Sequence, residues 1–555
     1  MDLNVRIAGE AGQGVQSAGN LLVAALAQMG LHVVATQSYM SRIRGGLNWF
    51  DVRVADGPRF AGRDRADLLV ALTDPAREIL GGELADGGVV LYDGASVDGT
   101  VAIDFEAAAE EAGGEKVMAN TVAAGAVFAL LGCDIERLCD YLGTQFKKKG
   151  DAVVEANVRC ARRGAELAGE HAGRFQAPRG GDAPTTLCNG AVAIAQAAAV
   201  AGAKVVTAYP MTPSTATFTH LAAVADRFGI VVEQAEDEIA AVNMICGAAY
   251  AGAPAMATTS GGGFALMAEG LSLAGIMELP IAIVIAQRPG PATGLPTRTA
   301  QQDLAFALHA GHGEFVRAIY APGTVAQSYD LTRRALATAH RAQTPAIVLT
   351  DQFLQDLQTN AAPLPDEPDP IDRCILTDPP AEYARYAVTD DGVSPRAIPG
   401  GPALVVCDSD EHTPDGHITE DLDAHLAQQD KRLRKFDLLA ADALEPEHYG
   451  PADAEALLIC WGSTYGPCRE AVDALVAAGQ SAAMLHFAQV WPVRIGDIAR
   501  AAIARAKRIV SVEGNATGQF AALCRQQGAL AECELLLRYD GLPFTADTIV
   551  SRIRP

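Results

Sequence analysis

Short apolar runs that alternate with helical patterns are the feature of this sequence that most restricts its fold. In the middle of the chain the runs are KVVTA, IVVEQ, PAMATTS and PIAIVIAQ, and small-residue stretches such as AVAIAQAAAVAG and DEIAAVNMICGAAYAG lie among them. The short runs are typical of strands, and the longer patterns are typical of helices. Their alternation predicts an α/β fold built from layers.

A length of 555 residues is too great for one hydrophobic core and predicts a multi-domain chain. Two stretches rich in Gly, Pro and Asp, at 173–186 and 361–400, have the composition of linkers. The last part of the chain holds the strand-like runs ALVVCD, ALLICWG, SAAMLHF and RIVSVEG. We therefore expect three α/β domains and a connector, with the bounds 1–175, 187–360, 361–400 for the connector, and 401–555.

The charge balance and the cysteines exclude several classes of function. A formal net charge of -24 disfavours nucleic acid and anionic membranes as partners, because both bind clusters of Lys and Arg. The N-terminus lacks the pattern of a signal sequence and no long apolar run follows, so we expect a cytoplasmic protein with no membrane contact. The 11 cysteines are scattered and form no C-x-x-C pair, so the sequence encodes neither a zinc site nor an iron–sulfur cluster.

A glycine-rich turn follows the first strand-like run, in LNVRIAGEAGQGVQSAGNLLVAALAQMG. The spacing of Gly9, Gly12 and Gly14 is not a dinucleotide fingerprint, but it leaves backbone N–H groups free at a helix N-terminus, where an anion is favoured. Arg42 and Arg44 in SRIRGG add two cations. The pattern is equally that of a tight turn beside a solvated basic loop.

A proline-rich loop follows the run KVVTA. In YPMTPST each proline lacks an N–H and pushes the preceding residue toward extended geometry, so this stretch is not a helix interior. We expect a stiff loop at the carboxyl end of a strand at 204–208, presenting Tyr209, Thr212, Ser214 and Thr215. Open α/β sheets bind ligands at that edge. A rigid strand-to-helix turn explains the prolines equally well.

Carboxylates crowd the junction between a strand at 230–234 and the following helix. The helix dipole favours carboxylates near a helix N-terminus, so capping is the better interpretation for Glu236 and Asp237. Glu238 differs because it begins a helix face of small and apolar residues. A carboxylate against such a surface is desolvated and holds a proton more readily, as a proton-exchanging group requires.

Two further segments carry functional groups at strand ends. In TTSGGGFALMAEGLSLAG, hydroxyls and three glycines lie between a strand and a helix, and glycines permit close backbone approach. Arg288 follows a strand at 281–285 and precedes PGPATGLPT. Its forked guanidinium suits a carboxylate ligand, although a surface arginine on a loop is the better interpretation of this residue taken alone.

Together these segments are more specific than any one of them. YPMTPS, AEDEIAAVNMICGAAYAG, TTSGGGFALMAEGLSLAG and QRPGPATGLPTRTAQQDL, in this order, closely resemble the α subunit of 2-oxoacid:ferredoxin oxidoreductases. CWGSTYGPCREAV, HFAQVWPV and VEGNATGQFAAL resemble the same family, and GEAGQGV with SYMSRIRGG resembles its γ domain. The resemblance covers nearly the whole chain, as a γ–α fusion of the 2-oxoglutarate type. It implies a γ domain followed by transketolase-like pyrimidine-binding and C-terminal α/β domains.

The resemblance implies roles for particular residues. Glu238 matches the glutamate that hydrogen-bonds the aminopyrimidine ring of thiamine diphosphate, and Arg288 matches the arginine that holds the 2-oxoacid carboxylate. Thr212 matches the threonine beside substrate and cofactor. The resemblance also implies that Tyr209 and Pro210 contact the cofactor and that Thr297 and Arg298 contact the substrate. It implies contacts with CoA for Gly12, Gly14, Arg42 and Arg44.

The resemblance also implies cofactors and partners. The chain would share thiamine diphosphate with a β subunit that carries Mg²⁺ and a [4Fe-4S] cluster, because this sequence lacks both the thiamine motif and the cluster cysteines. The implied assembly is (αβ)2. The implied reaction converts a 2-oxoacid, CoA and oxidised ferredoxin into acyl-CoA, CO₂ and reduced ferredoxin, with 2-oxoglutarate as the favoured substrate.

Departures from the family pattern leave the substrate open. Gly262 replaces the proline of the usual motif T-S-G-P-G-F. In the usual motif T-E-Q-G-D, Ala300 replaces the glutamate and Gln302 replaces the glycine. The alternatives are the same chemistry on pyruvate, a branched-chain or an aryl 2-oxoacid, and Arg298 is the nearby cation suited to a distal carboxylate. A non-catalytic CoA-binding assembly subunit is a further alternative, disfavoured by the presence of Thr212, Glu238 and Arg288.

Overall fold

The computed structural model describes residues 1–40, 45–176 and 180–553. The chain forms two compact units: the first comprises Met1–Cys188, Asp356–Pro363 and Thr545–Thr548, and the second comprises the other described residues. The four ranges expected from the sequence stay a prediction. Over the described ranges, no helix combines the length and the apolar character that crossing a bilayer requires.

The elements up to residue 188 alternate between strands and helices. Strands β1–β7 are Asp2–Glu10, His32–Ser38, Leu47–Ala55, Ala66–Ala71, Leu84–Asp93, Thr100–Ile103 and Thr186–Cys188. Helices α1–α6 are Val15–Gln28, Asp74–Leu80, Phe105–Glu111, Ala119–Leu131, Ile135–Phe146 and Asp151–Ala168.

The elements from residue 190 to 361 continue the alternation. Helices α7–α14 are Gly190–Val200, Thr215–Phe228, Glu238–Tyr250, Gly261–Leu266, Ala268–Ile276, Leu304–His309, Val325–Ala342 and Gln352–Asp356. Strands β8–β14 are Val205–Ala208, Val231–Gln234, Ala255–Thr259, Ile281–Gln287, Ala318–Tyr320, Ala346–Asp351 and Gln358–Ala361.

The remaining elements begin after a long segment without helices or strands. Helices α15–α19 are Leu422–Ala441, Tyr465–Ala477, Asp497–Arg505, Gln519–Gln526 and Ala546–Ile553. Strands β15–β20 are Glu447–Tyr449, Ala456–Trp461, Ala482–Phe487, Gln489–Trp491, Arg508–Glu513 and Glu534–Leu537.

The first unit is built around a mixed sheet with the order β6-β5-β4-β1-β3-β2-β14-β7. Strand β1 runs parallel to β4 and antiparallel to β3. Val5 and Ile7 of β1 lie in one apolar core with Leu22 of α1. A Cβ on Gly19 of α1 would lie 2.4 Å from the Phe50 ring of β3, so glycine at this position permits the close approach of helix and sheet.

The second unit contains a sheet with the order β18-β12-β13-β11-β10-β8-β9, in which every pair is parallel except β12 with β18. Strand β11 is buried along its whole length, as is typical of parallel sheets with helices on both faces. The expected strands at 204–208 and 230–234 correspond to β8 and β9, and the expected helix after the proline loop is α8. Since the strands are parallel, their following loops emerge at one edge.

A smaller sheet in the second unit has the order β15-β17-β16-β19-β20. Its strands β16, β17 and β19 correspond to the expected runs ALLICWG, SAAMLHF and RIVSVEG. The expected strand ALVVCD is wrong. Residues 403–408 form no strand, and Leu404 is 81% exposed. The sheet is instead bounded by β15 and β20, and this apolar run lies outside it.

Candidate active site

Functional side chains gather at the carboxyl edge of the larger sheet of the second unit. Strands β8, β10 and β11 end there, at Ala208, Thr259 and Gln287. The loops that follow leave the sheet on the same side, where open α/β sheets bind ligands.

The loop after β8 brings Thr212 to Arg288. Within this loop Ser214 is buried, and its hydroxyl donates to the Met211 carbonyl at 2.8 Å. Arg288 Nη1 donates to the Thr212 carbonyl at 2.7 Å. Because this contact uses the Thr212 backbone, the Thr212 hydroxyl stays available to a ligand. Tyr209 is 42% exposed and adjoins the half-buried Pro210.

Two adjacent carboxylates at the start of α9 differ in role: the first caps the helix and the second does not. Asp237 is the N-cap residue, and its side chain accepts from the Ala240 N–H at 2.7 Å. Glu238, the next residue, is 2% exposed, and its Oε1 has no hydrogen-bond partner among the described residues. Burial raises the pKa of the Glu238 carboxyl, and the Asp237 charge raises it further. Burial and the neighbouring charge thus both favour the protonated form of Glu238.

Glycines bring the backbone of α10 against Glu238. A Cβ on Gly263 would lie 2.2 Å from Thr259 Oγ1 and 2.3 Å from Glu238 Oε1, so only glycine fits here without a shift. Gly261–Gly263 form the first residues of α10 and not the separate turn expected from the sequence. The side-chain oxygens of Thr258 and Ser260 are also buried without hydrogen-bond partners in the described part of the chain.

Arg288 lies close to a carboxylate that the sequence does not single out. Burial lowers the pKa of the Arg288 guanidinium, and the charge of Asp303 opposes that change. Burial raises the pKa of Asp303 to about 6, although the Arg288 charge lowers it. Asp303 directly precedes the apolar start of α12, so its sequence context indicates a helix cap and conceals its position at the site.

Thr297 and Arg298 follow the site along the same loop. Thr297 is 9% exposed, and burial lowers the pKa of Arg298. A Cβ on Gly541 would lie 3.0 Å from the Arg298 Cβ, and the Thr299 N–H donates to the Gly541 carbonyl at 3.1 Å. The structure thus places this part of the loop against the segment that follows β20.

The same loop is held by the smaller sheet of the second unit. Gln301 Nε2 donates to the Trp461 carbonyl at 2.8 Å, and Gln301 Oε1 accepts from the Gly514 N–H at 2.8 Å. At the end of β13, Asp351 accepts a hydrogen bond from the Ser463 hydroxyl. Burial raises the pKa of Asp351 to about 6, although the Ser463 contact lowers it. The sequence gives no signal for either contact, because both join residues more than a hundred positions apart.

The glycine turn of the first unit has the conformation that its sequence indicates. Gly12 and Gly14 have φ values of 97° and 79°, in the left-handed region that favours glycine. Gly14 is the N-cap residue of α1, and no side chain caps this helix end. Gly12 is exposed, with open space where a Cβ would point. The predicted anion ligands Arg42 and Arg44 lie outside the described residues.

Comparison with known proteins extends the resemblance. The family model described as pyruvate flavodoxin/ferredoxin oxidoreductase, thiamine diP-bdg, matches residues 196–431, and that of pyruvate ferredoxin/flavodoxin oxidoreductase matches residues 4–167. The 2-oxoacid:ferredoxin oxidoreductase 2, subunit alpha, of Aeropyrum pernix is 27% identical over 100% of this chain and 97% of its own length. The 2-oxoglutarate synthase subunit KorA of Methanothermobacter thermautotrophicus is 30% identical over 65% of this chain and 96% of its own length.

A solved structure is similar along the entire chain. It is the 2-oxoglutarate:ferredoxin oxidoreductase from Magnetococcus marinus with 2-oxoglutarate, coenzyme A and succinyl-CoA bound, and it has a TM-score of 0.93 at 31% identity. The match covers 100% of this chain and 99% of that chain. With its proline loop, buried glutamate and strand-end arginine at one sheet edge, the chain belongs to the 2-oxoacid:ferredoxin oxidoreductase family, as an α subunit.

Proposed function

We propose that this chain acts in the thiamine diphosphate-dependent oxidation of a 2-oxoacid, with 2-oxoglutarate as the favoured substrate. The reaction yields acyl-CoA, CO₂ and reduced ferredoxin. The observation that carries the proposal is Glu238, a buried carboxyl whose Oε1 has no partner at the same sheet edge as Arg288 and Thr212. A second observation, the full-length likeness to a solved enzyme with 2-oxoglutarate bound, favours 2-oxoglutarate over the other 2-oxoacids.

The residues present fit the pyrimidine half of thiamine diphosphate. An aminopyrimidine ring offers a nitrogen that needs a carboxylic acid partner, and Glu238 Oε1 is a buried oxygen in need of one. Gly263 lets the backbone of α10 pack directly against Glu238, where any side chain would collide with the carboxyl. When bound, thiamine diphosphate supplies a nucleophilic carbon and an electron sink for decarboxylation.

Glu238 would exchange a proton through Oε1. Burial disfavours the ionised carboxylate and raises the pKa, which favours the protonated form. Asp237 already caps α9, so Glu238 can gain and lose a proton without loosening the helix end. The N-terminus of α9 therefore fixes the position of Glu238, while the Glu238 carboxyl can still exchange a proton.

Arg288 and Thr212 would hold the oxoacid. Arg288 uses Nη1 on the Thr212 carbonyl, and its other guanidinium N–H groups have no hydrogen-bond partner among the described residues. A planar fork with free donors is suited to a carboxylate, to which it can donate two parallel hydrogen bonds. The Thr212 hydroxyl lies on the same loop as this contact and can donate to the keto oxygen. Orientation by these groups would place the scissile bond for CO₂ loss.

CoA binding is proposed for the first unit, at the turn of Gly12 and Gly14 and the basic pair Arg42 and Arg44. The uncapped N-terminus of α1 leaves backbone N–H groups without side-chain partners, and such groups favour phosphate. We also propose, from the family resemblance, that Thr297 and Arg298 contact the substrate.

A β subunit is proposed to cover the site and to carry the diphosphate, Mg²⁺ and the [4Fe-4S] cluster that reduces ferredoxin. Elements around the site expose large apolar side chains, as an interface would require: Tyr209, Ile239, Met244, Leu266 and Leu295. An (αβ)2 assembly in the cytoplasm is part of the proposal.

The deciding experiment is coexpression of this chain with its β subunit, followed by assay of ferredoxin reduction. The panel contains 2-oxoglutarate, pyruvate, a branched-chain and an aryl 2-oxoacid, each with and without CoA. We expect CoA-dependent reduction with the highest kcat/KM for 2-oxoglutarate. A higher kcat/KM for another oxoacid would change the substrate. Binding of CoA without oxidation of any oxoacid would instead indicate a non-catalytic assembly subunit.

A further inference from the structure

Asp303 stands at a helix start but does not cap it. It is the N-cap residue of α12, and its side chain accepts no hydrogen bond from the first turn. Aspartate at this position ordinarily binds the N–H of the second or third helical residue. The backbone N–H of Asp303 donates to Gln287 Oε1 at 2.9 Å, which fixes the residue at the end of β11. The carboxylate is thus directed away from its ordinary partners.

The carboxylate lies against the start of α10 instead. A Cβ on Gly261 would lie 2.3 Å from Asp303 Oδ2 and 2.6 Å from Asp303 Oδ1. Oδ2 is buried and has no hydrogen-bond partner among the described residues. A buried carboxylate oxygen without a donor is costly when charged and much less so when protonated.

Arg288 is the charged group that acts on Asp303. The helix α10 against which the carboxylate lies has no ionisable side chain, and α18, which packs on α12, carries Arg525 only in its last turn. Glu238 begins α9 and lies against Gly263, two residues beyond Gly261. The charge of Asp303 therefore depends on one cation, Arg288.

We propose that Asp303 takes up a proton when the carboxylate of a 2-oxoacid binds to Arg288, and that it thereby sets the pH range over which the oxoacid is held. The proposal rests on the proposed function, because it needs an oxoacid at Arg288. Asp303 acts through Arg288 and is a positioning residue, not a catalytic one.

The physical reason is competition of two anions for one cation. In the free enzyme the Arg288 charge partly stabilises ionised Asp303. A substrate carboxylate uses that charge through direct hydrogen bonds and adds its own negative charge nearby, so the ionised form of Asp303 becomes more costly. Protonation of Asp303 removes the conflict, and the proton then counts as part of the binding reaction.

The sign of the pH effect follows from this linkage. Burial raises the pKa of Asp303 to about 6 in the free protein. Below that pH the proton is already bound, and binding takes up none. Above it, binding must recruit a proton, so the affinity for the oxoacid falls by up to about tenfold per pH unit until the pKa of the complex is reached.

The test compares the assembled wild-type enzyme with Asp303→Asn, using 2-oxoglutarate. Asparagine retains the shape of a protonated carboxyl and the ability to cap a helix, but it cannot titrate. We expect KM to rise with pH above 6 more steeply in the wild type than in D303N, whereas Glu269→Gln, which changes an exposed carboxylate of α11, should follow the wild type. Titration of Glu238 is present in all three enzymes and cancels in the comparison.

Calorimetry of the wild type gives a readout that does not depend on a variant. The titration uses the assembled enzyme without thiamine diphosphate, so that 2-oxoglutarate binds but is not decarboxylated. Heats of binding in two buffers of different ionisation enthalpy should show uptake approaching about one proton per site at pH 7 to 8, and much less below pH 6. Parallel pH profiles for wild type and D303N, or binding without proton uptake, would overturn the inference while oxidation continues. An assembled enzyme that neither binds nor oxidises 2-oxoglutarate would overturn the proposed function as well.

Discussion

The two ends of the larger sheet in the second unit differ in whether a buried carboxyl group is paired with a cation. At the site end, Glu238 begins α9 with 2% exposure, and no cation of the described residues forms an ion pair with it. At the other end, Glu278 follows α11, is fully buried, and meets Lys431 Nζ at 2.7 Å and Lys435 Nζ at 2.5 Å. Both carboxyls are removed from water, but only Glu278 is compensated by opposite charge.

The pKa directions follow from this difference. Burial raises the pKa of Glu238, and nothing nearby lowers it by charge. Burial also acts to raise the pKa of Glu278, but Lys435 and Lys431 outweigh it and lower the pKa to about 2. A compensated buried carboxyl keeps one protonation state and serves structure, whereas an uncompensated one can change state and serve chemistry.

The far end is reinforced by arginines from the segment between the two sheets. Arg396 Nη1 donates to the Ala249 carbonyl at 3.0 Å, in the last turn of α9. Arg385 Nη2 donates to the Glu278 carbonyl at 3.1 Å. Cations at helix C-termini satisfy free carbonyls and favour the dipole. The helix that begins with Glu238 is thus firmly held at the end away from the site.

The largest effect is expected for Glu238→Gln. Glutamine keeps the size and hydrogen bonds but cannot trade a proton, so turnover should fall by roughly 10²–10⁴-fold. Exchange of the thiamine C2 hydrogen in the assembled enzyme should slow before any oxoacid is added. Because the folded pKa is raised, ionised Glu238 costs stability as pH rises through that pKa, so the variant should melt no lower than wild type at pH 8. Normal exchange with a lower melting temperature would instead indicate a structural role.

Glu278→Gln should lose stability. It leaves Lys431 and Lys435 buried without a counter-charge, and removal of one partner from a buried ion pair costs about 3–5 kcal/mol. The measurement is the urea midpoint, with ferredoxin-reducing activity of the surviving folded enzyme as the second readout. Addition of Lys435→Met should restore part of the loss. An unchanged midpoint would remove the contrast between the two ends.

Arg288→Lys should lower kcat/KM for the oxoacid, because lysine cannot reproduce a two-pronged carboxylate contact. The expected loss of transition-state stabilisation is about 1–3 kcal/mol. Cofactor binding should change less than oxoacid use. Arg227→Lys, at the exposed end of α8, is the matched control. Equal kcat/KM in R288K and wild type would remove Arg288 from the site.

The smallest effect is expected for Gly247→Ala, on the exposed face near the C-terminal end of α9. Gly247 is exposed, and a Cβ there would meet no atom within 4 Å. Alanine should stabilise the isolated chain by about 0.5–1 kcal/mol, because glycine weakens a helix. Thermal melting measures this gain. A loss of stability would mean that the end of α9 away from the site is constrained even on its exposed face.

The order of residues was enough to predict the layered α/β fold and most of the strands around the site. KVVTA, PAMATTS and PIAIVIAQ contain β8, β10 and β11 because short apolar runs between helical patterns have few other uses in a parallel sheet. Local chemistry also separated Asp237 from Glu238, since a capping position and an apolar helix face are both visible in the order of residues. The roles of Thr212, Glu238 and Arg288 came from family resemblance, and they stay predictions.

Which charged groups contact each other could not be predicted and was seen only in the folded chain. The sequence context of Asp303 predicts a helix cap, but its carboxylate lies against Gly261 and near Arg288. Glu278 meets two lysines from a helix some 150 positions later, and no local pattern encodes that pairing. ALVVCD has the composition of a strand, but in the fold it lies outside the sheets. Local patterns report propensity, whereas burial, pairing and pKa depend on residues distant in sequence, so they become visible only when the chain is folded.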